Sequence, residues 1–435
     1  MTTPEPIDRP TPPEPPAVPG PSAPPGTATS PHTVTEPSIF DADLLAQCVQ
    51  CGFCLSSCPT YEVTHLEEHG PRGRILAMRL ADAGDLPLTD PDVKESLETC
   101  VQCRACELVC PSLVEFGALI ETARTEIARR EPPRGLRGLA HRVGFFALAR
   151  RSWLRAGVAG LAIMQLLRLD RVLPDTVRPA RRVRLRELRR GYQRPRGIRT
   201  RGPAYVFRGC VMDQMFRATH QAVADVLGSI GYDPRFEPAP PCCGALHTHA
   251  GREDQARGLA QQTIRAYAGT EGPIVVDSAG CGAAMKEFGH LLGTPEAEAF
   301  SARVVDLSEV VTPAEVAARA RPIPLELAYQ APCHGRNVQR LGDLPLALLR
   351  AIPELTLIEP DDEHLCCGSG GIYSIEQPDF GNALLEKKDA SLQRTGARGV
   401  VSGNPGCAMQ IARAGWEIHH PAELLARAMR PGGPV

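Results

Sequence analysis

No apolar run in this chain reaches the roughly 18–20 residues that a bilayer crossing requires; the nearest, Ala156 to Leu167, is too short. The sequence therefore predicts no membrane span. It also lacks a dominant charge, because 48 Lys and Arg face 50 Asp and Glu for a net charge of −2. Whole-molecule electrostatics then names no nucleic acid or other polyion as partner. No G-x-G-x-x-G fingerprint stands between a strand and a helix, which argues against a flavin or nicotinamide site in the chain itself. The first residues show no charged stretch leading into an apolar core, so no secretory leader is expected. Instead, residues 1–37 hold 13 of the 42 prolines among Thr, Ser, Glu and Gly. Such a stretch buries too little apolar surface to offset its ordering entropy, and a disordered tail is expected.

What the chain has in excess is cysteine, 16 in 435 residues. Half of them form two copies of one spacing. The first copy is Cys48-x2-Cys51-x2-Cys54-x3-Cys58-Pro59; the second is Cys100-x2-Cys103-x2-Cys106-x3-Cys110-Pro111, displaced by 52 residues. This is the run of a bacterial two-cluster ferredoxin, in which three cysteines of a run bind one [4Fe–4S] cluster and the fourth binds the other. It assigns Cys48, Cys51, Cys54 and Cys110 to one cluster, and Cys100, Cys103, Cys106 and Cys58 to the second. Structural zinc normally uses separated CxxC pairs without a third cysteine or the Cys-Pro ending. Cysteines grouped at metal-ligand spacing in a long chain fit a reducing compartment better than a secreted disulfide scaffold.

Pro59 to Thr99 leave 41 residues between the runs. Gly70-Pro71-Arg72-Gly73 signals a turn, Arg74 to Ala83 has helical spacing, and Asp90-Pro91 opens a helical stretch feeding Cys100. A further helix is expected from Val114 to Arg130. Residues 38–130 thus read as an α-helical ferredoxin, whose crossed ligands keep the two clusters close and suit a wire more than a catalyst. No catalytic residue is evident.

The other eight cysteines form a second duplication. Cys210, Cys242-Cys243-Gly244 and Cys281 are matched by Cys333, Cys366-Cys367-Gly368 and Cys407, at separations of 123, 124 and 126 residues. AYVFRGC, PIVVDSAGC, LELAYQAPC and GVVSGNPGC each read as strand, turn and cysteine, with a helix after them, which predicts parallel α/β units. Turns at the carboxyl edge of such a sheet are where ligands bind, and a cysteine there meets a helix N-terminus that favours thiolate. Four cysteines per unit are therefore expected to converge on one site, an iron–sulfur cluster or zinc. Vicinal disulfides, redox thiols or inert packing are the alternatives. His247, His249, His334 and His364 lie close by in sequence, as ligands, proton carriers or ordinary loop and core histidines.

Between these halves, Arg129 to Arg201 holds 21 Arg against four acids, a local charge of about +17. Interspersed Phe145, Phe146, Trp153, Leu161 and Leu167 make it basic and amphipathic. A solvated linker, an anionic membrane surface and an acidic partner remain open as its environment.

Together these residues resemble the iron–sulfur subunit of bacterial glycolate oxidase over about residues 40–430. The resemblance is carried by CVQCGFCLSSCPTY, GPRGRI, CRACELVCPS, PCCGAL, CCGSGGIYSIEQP and NPGC. It implies that the eight ferredoxin-type cysteines are cluster ligands. It also implies that electrons come from separate flavin-bearing subunits oxidising glycolate, or D-lactate, and go toward a quinone-linked acceptor. The implied location is cytoplasmic, with peripheral contact at the inner face of the membrane. The paired-cysteine units are also similar to heterodisulfide reductases and to lactate-utilisation and glycerol-3-phosphate dehydrogenase subunits. A heterodisulfide-reductase unit ends in CxxC, whereas these end in the single Cys281 or Cys407, which counts against a noncubane cluster and disulfide chemistry. The expected fold is a multidomain α+β chain: tail 1–37, α-helical ferredoxin domain 38–130, basic linker 131–202, and a pseudo-duplicated pair of α/β cysteine-rich (CCG) domains at 203–320 and 323–431.

Overall fold

Asp90-Pro91 starts a helix where the sequence places it, whereas Pro71 starts another three residues before the expected Arg74, within the stretch read as a turn. In the computed structural model, residues 38–172, 183, 188, 191–195, 200–362 and 364–429 are described. The Asp90 carboxylate accepts the Asp92 and Val93 amides at 3.1 and 3.4 Å, and Pro91 opens the helix Pro91–Glu98 at the position where its missing N–H costs nothing. Helices Pro71–Asp82 and Phe116–Arg130 flank it. Ile75, Met78, Val93, Leu97, Leu119, Ile120 and Ile127 close one core with Phe40 and Leu45, and Cys100 and Cys106 belong to that core. The tail 1–37 lies outside the described residues.

The described first part of the basic segment forms a helical hairpin, Gly135–Leu148 and Arg151–Leu166. Gly138, His141, Phe145 and Leu148 face inward at helical spacing, whereas Leu136, Leu139, Val143 and Phe146 are exposed. On the second helix Val158 and Ala162 are buried, and Trp153, Ile163 and Leu167 are exposed. Phe146 and Trp153 meet edge-on at 5.6 Å, with the Arg150 guanidinium 3.7 Å from the Phe146 ring centre. No helix among the described residues is long and apolar enough to cross a membrane.

Two four-stranded parallel sheets follow. The strands are β1 Pro203–Val206, β2 Asp233–Arg235, β3 Ile274–Val276, β4 Val304–Asp306, β5 Leu325–Gln330, β6 Leu355–Ile358, β7 Gly399–Ser402 and β8 Ile418–His419. Their orders are β2-β1-β3-β4 and β6-β5-β7-β8. The four strands read from sequence are β1, β3, β5 and β7, the inner pair of each sheet. These are buried on both faces, as parallel strands between helices must be. Val206, Val275, Leu327, Tyr329 and Val401 point into a core shared by both sheets. The alternate residues Phe207, Ile274 and Val276 fill an outer core of the first sheet, and Ala328 and Val400 one of the second.

The shared core joins the two halves. Helix Arg217–Ser229 of the first packs on helix Pro421–Met429 of the second, through Val223, Val226 and Leu227 against Leu424, Leu425 and Ala428. Burying each such leucine stabilises the fold by about 1.5–3 kcal/mol. Residues from Ile39 onward form one compact unit.

Candidate metal centre

Cys48, Cys51, Cys54 and Cys110 line one small apolar cavity of about 30 Å³, together with Cys106, Phe53, Ile75 and Phe116. Cys51 is exposed, and the other three are partly so. Burial pushes the Cys54 thiol up to about 11. Cys58 is buried elsewhere, and its charge acts on Cys103 and Cys106, as does that of Cys100. Cys110 thus lies with the first three cysteines of the first run, in a cavity that Cys106 also lines, while the charge of Cys58 acts on Cys54 as well as on Cys103 and Cys106.

Backbone and side-chain N–H groups point at the sulfurs. Gln102 N stands 3.4 Å from Cys100 Sγ, Val114 N 3.5 Å from Cys110 Sγ, and Gln50 Nε2 3.6 Å from Cys48 Sγ. Beside Cys58 lies Arg74, fully buried, with Nη1 3.9 Å from the sulfur and further bonds to Ser96 O and the Thr60 and Thr99 hydroxyls.

All eight remaining cysteines line a single cavity of about 280 Å³. The expectation was one site per unit; packing of the two sheets brings both sets to the same space. Cys210 caps a short helix, Cys281 and Cys407 sit in the first turns of Ala279–Lys286 and Pro405–Ala412, and Cys333 precedes a wide turn over His334–Val338. The paired cysteines approach on tight loops closed by Gly244 and Gly368, with φ of 86° and 77°. A Cβ on Gly368 would stand 2.4 Å from Gly381 O, so only glycine lets the loop pass.

Within each set the sulfurs touch in series. Cys242 Sγ is 3.8 Å from Cys210 Sγ, and hydrogen bonding links Cys242 to Cys243 and Cys243 to Cys281. In the second set the series is Cys333, Cys366, Cys367 and Cys407. Gly244 N and Gly368 N each stand 3.4 Å from a sulfur, of Cys242 and Cys366, and Asn404 Nδ2 is 3.4 Å from Cys407 Sγ. Neighbouring cysteines and then burial push Cys242, Cys243, Cys281, Cys333 and Cys367 up. Cys366 and Cys407 go down, chiefly because Cys333 and Cys367 hydrogen-bond to them. Thiolates crowded in such surroundings are stable only beside positive charge, which iron would supply. All sixteen cysteines are free. Among the described residues no three His, Cys, Asp or Glu side chains show single-ion metal geometry. Thiol-only donors ringed by N–H groups fit an iron–sulfur group, whose potential depends on those contacts.

The second ferredoxin set adjoins this cavity. Val101, Cys103, Cys366 and Tyr373 pack in one apolar cluster with Cys333 at its edge. Tyr373 donates its hydroxyl to Thr99 O at 2.8 Å, and Asn337 Nδ2 donates to Cys103 O at 2.7 Å. Arg124 reaches Cys100 O and His249 O at 2.5 and 2.9 Å. Arg104 pairs with Glu287 across the same boundary.

Of the four histidines, His249 and His334 line the cysteine cavity and meet edge-on at 5.3 Å. His249 Nδ1 is 2.9 Å from Gln102 Oε1. Burial holds His249 well below its usual range and His334 at about 4. His247 packs on Phe145 at 4.9 Å and is not part of the cavity, and His364 is exposed. Sequence reasoning missed Arg74 and Lys388, both fully buried. For Lys388 a signal existed: it continues the stripe Gly381, Leu384, Leu385 at helical spacing.

Comparison with known proteins agrees with this geometry. The 4Fe-4S dicluster domain family matches residues 44–114, and the Cysteine-rich domain family matches residues 204–286 and 327–412. The probable glycolate oxidase iron-sulfur subunit of Bacillus subtilis (strain 168) is 35% identical, over 85% of this chain and 89% of its own length. The glycolate oxidase iron-sulfur subunit of Escherichia coli (strain K12) is 30% identical, over 89% of this chain and 94% of its own. A fumarate reductase (CoM/CoB) subunit of Methanothermobacter marburgensis is 25% identical over 85% of this chain and 68% of that protein. With its ferredoxin-type cysteines packed against a cavity of paired cysteines, the chain is an iron–sulfur electron-transfer protein and belongs to the family of glycolate oxidase iron–sulfur subunits.

Proposed function

We propose that this chain is the electron-transfer subunit of a glycolate-oxidising complex. Flavin-bearing partner subunits would hold the substrate site and convert glycolate to glyoxylate with release of two electrons and two protons; D-lactate is the second 2-hydroxy acid to test. A quinone-linked acceptor would take the electrons. The observation that most supports this reading is the sequence of thiols through the fold. It begins at the exposed Cys51, passes Cys106 and Cys103, and reaches Cys366 and the eight-cysteine cavity.

Cys48, Cys51, Cys54 and Cys110 would hold one [4Fe–4S] cluster, and Cys100, Cys103, Cys106 and Cys58 another. Cys210, Cys242, Cys243 and Cys281 would hold a third iron–sulfur group, and Cys333, Cys366, Cys367 and Cys407 a fourth. When bound, these groups supply one-electron transfer. Matching strand order and cysteine order support reading the two cysteine-rich halves, at 203–320 and 323–431, as a duplication following a ferredoxin domain over 38–130. The hairpin would rest on the inner face of the cytoplasmic membrane: residues 132–169 hold seven Arg and no acid beside the exposed apolar side chains. The arginines from Arg178 to Arg190, expected to share that role, lie outside the described residues. Glutamates in place of Leu136, Val143 and Phe146 should abolish sedimentation with anionic vesicles; undiminished binding would remove the hairpin from the contact.

The deciding experiment is anaerobic purification with the native partners, followed by addition of glycolate. Bleaching of the iron–sulfur absorbance by glycolate is expected. Bleaching by dithionite alone would mean a different electron donor. A disulfide-reducing catalyst is the second reading, favoured by the two cysteine sets sharing one cavity. Turnover of a small disulfide to two thiols by the reduced chain, without partners, would decide for it.

A further inference from the structure

The two cysteine-rich halves bury corresponding helices beside their paired cysteines. Helix Glu253–Ala266 buries Ala256, Leu259, Ala260 and Thr263, and helix Pro378–Arg394 buries Gly381, Leu384, Leu385 and Lys388 at the same intervals. Lys388 therefore occupies the place that Thr263 holds in the first half. The two side chains do different things there. Thr263 donates its hydroxyl to Cys242 O at 3.5 Å and is neutral. Lys388 is wholly buried, and its Nζ has no hydrogen-bond partner among the described residues.

An ammonium taken out of water without a partner is costly unless a counter-charge faces it. The negative charges that act on Lys388 are those of Cys367, Cys366 and Cys407, while Arg336 opposes them. Burial is the larger effect and lowers the hold of Lys388 on its proton, which the three thiolates partly offset. One turn to either side of it on the same helix, Leu384 packs with Cys366, and Leu392 packs with Cys367 and Cys407. In the first half the sign is reversed. The charges acting on Cys242, Cys243 and Cys281 come from one another, from Cys210 and from the carboxylate of Asp277. Asp277 is buried and bonded at 2.6 Å to His220, and counting back from the last cysteine its counterpart in the second half is Gly403.

We propose that Lys388 is the buried counter-charge of the second cysteine-rich half, raising the reduction potential of the iron–sulfur group there above that of the first half's group. An added electron makes a sulfur-ligated group more negative, so a nearby fixed cation stabilises the reduced form more than the oxidised form. Electrons arriving through Cys103 would then settle on the side of Cys366, the neighbour with which Cys103 already packs. Lys388 is thus a positioning residue for charge, and it rests on the reading that each half's four cysteines hold an iron–sulfur group.

The test is an anaerobic redox titration of the full chain followed by electron paramagnetic resonance. Signals are assigned by their loss in Cys242→Ser for the first half and Cys366→Ser for the second. Lys388→Met, of similar volume and no charge, should lower the midpoint of the second-half signal by at least a tenfold change in its oxidised-to-reduced ratio, about 59 mV for one electron. Lys388→Arg should keep the original midpoint, and Thr263→Lys should raise that of the first half. Loss of second-half iron in Lys388→Met but not in Lys388→Arg also counts for the charge. An unmoved midpoint with full iron overturns the proposal, as does an equal shift, or equal loss of iron, in both Lys388 variants. If Cys366→Ser removes neither iron nor signal, the reading of the second half as an iron site fails first and takes this role with it.

Discussion

The two cysteine-rich halves are alike in strand order and in the order of their thiols, yet they differ at buried charged positions, Lys388 against Thr263 and Asp277 against Gly403. The second half abuts the ferredoxin-type cysteines through Cys366 and Tyr373, which pack with Cys103, and buries Lys388 on the helix that passes its paired cysteines. The first half buries a carboxylate near Cys281, and its His247 packs against Phe145 of the hairpin. A shared strand order thus goes with a shared order of cysteines but leaves each half free to set its own electrostatics. The reason is that backbone topology fixes where the turns fall, whereas potential and acid sensitivity depend on single side chains around them.

The largest expected effect separates the halves outright. Cys366→Ser should abolish the second-half signal and stop electrons from leaving the ferredoxin-type sites, because Cys103 packs beside Cys366. Cys242→Ser should abolish only the first-half signal; equal blockage in both variants, seen by freeze-quench spectroscopy after glycolate addition, would erase the distinction. Next comes Cys58→Ser, which should damage the cluster of Cys100, Cys103 and Cys106 and spare that of Cys48, Cys51 and Cys54. Spectra showing the reverse would refute the crossed assignment.

A smaller effect concerns acid. Burial, and then the Arg252 cation, hold His247 at about 4, so it is neutral in the fold but protonated in the unfolded chain below about 6.5. Its folded value is depressed, so stability falls as pH drops from about 6.5 and the loss levels off near 4, at about 3 kcal/mol. The second half has Gly371 four residues beyond Cys367 where the first has His247 beyond Cys243, and carries no such contribution. His247→Phe should flatten the pH dependence of the urea midpoint across that window; an unchanged slope would locate the acid sensitivity elsewhere. The smallest effect is at Tyr373→Phe, which strands the buried Thr99 carbonyl. A loss of about 1–2 kcal/mol in denaturant unfolding is expected, and none at all would mean that water replaces the hydroxyl.

Much of this was legible before any fold. The ferredoxin runs announce themselves because one cluster draws three ligands from seven consecutive residues, a purely local constraint. Helices Pro71–Asp82, Pro91–Glu98 and Phe116–Arg130 lie within three residues of expectation, though Pro71–Gly73, read as a turn, are the first turn of their helix. Strands β1, β3, β5 and β7 showed as apolar runs. Their neighbours β2, β4, β6 and β8 did not, because β2 reads Asp-Pro-Arg, β8 spans two residues, and the apolar β4 and β6 do not run straight into a cysteine turn. Edge positions ask less apolar surface of a strand than central ones do.

By itself the sequence showed two cysteine runs at iron–sulfur spacing, since such spacing is a property of the chain, and that the paired cysteines occur twice. Only the tertiary structure decided that both sets share one cavity. That depends on helix Arg217–Ser229 meeting helix Pro421–Met429, about 200 residues later in the chain, through a core no local pattern reveals. The same packing set Cys366 against Cys103, and it buried a lysine that reads as surface charge. Spacing along the chain specifies local bonds; burial and long-range charge belong to the assembled fold.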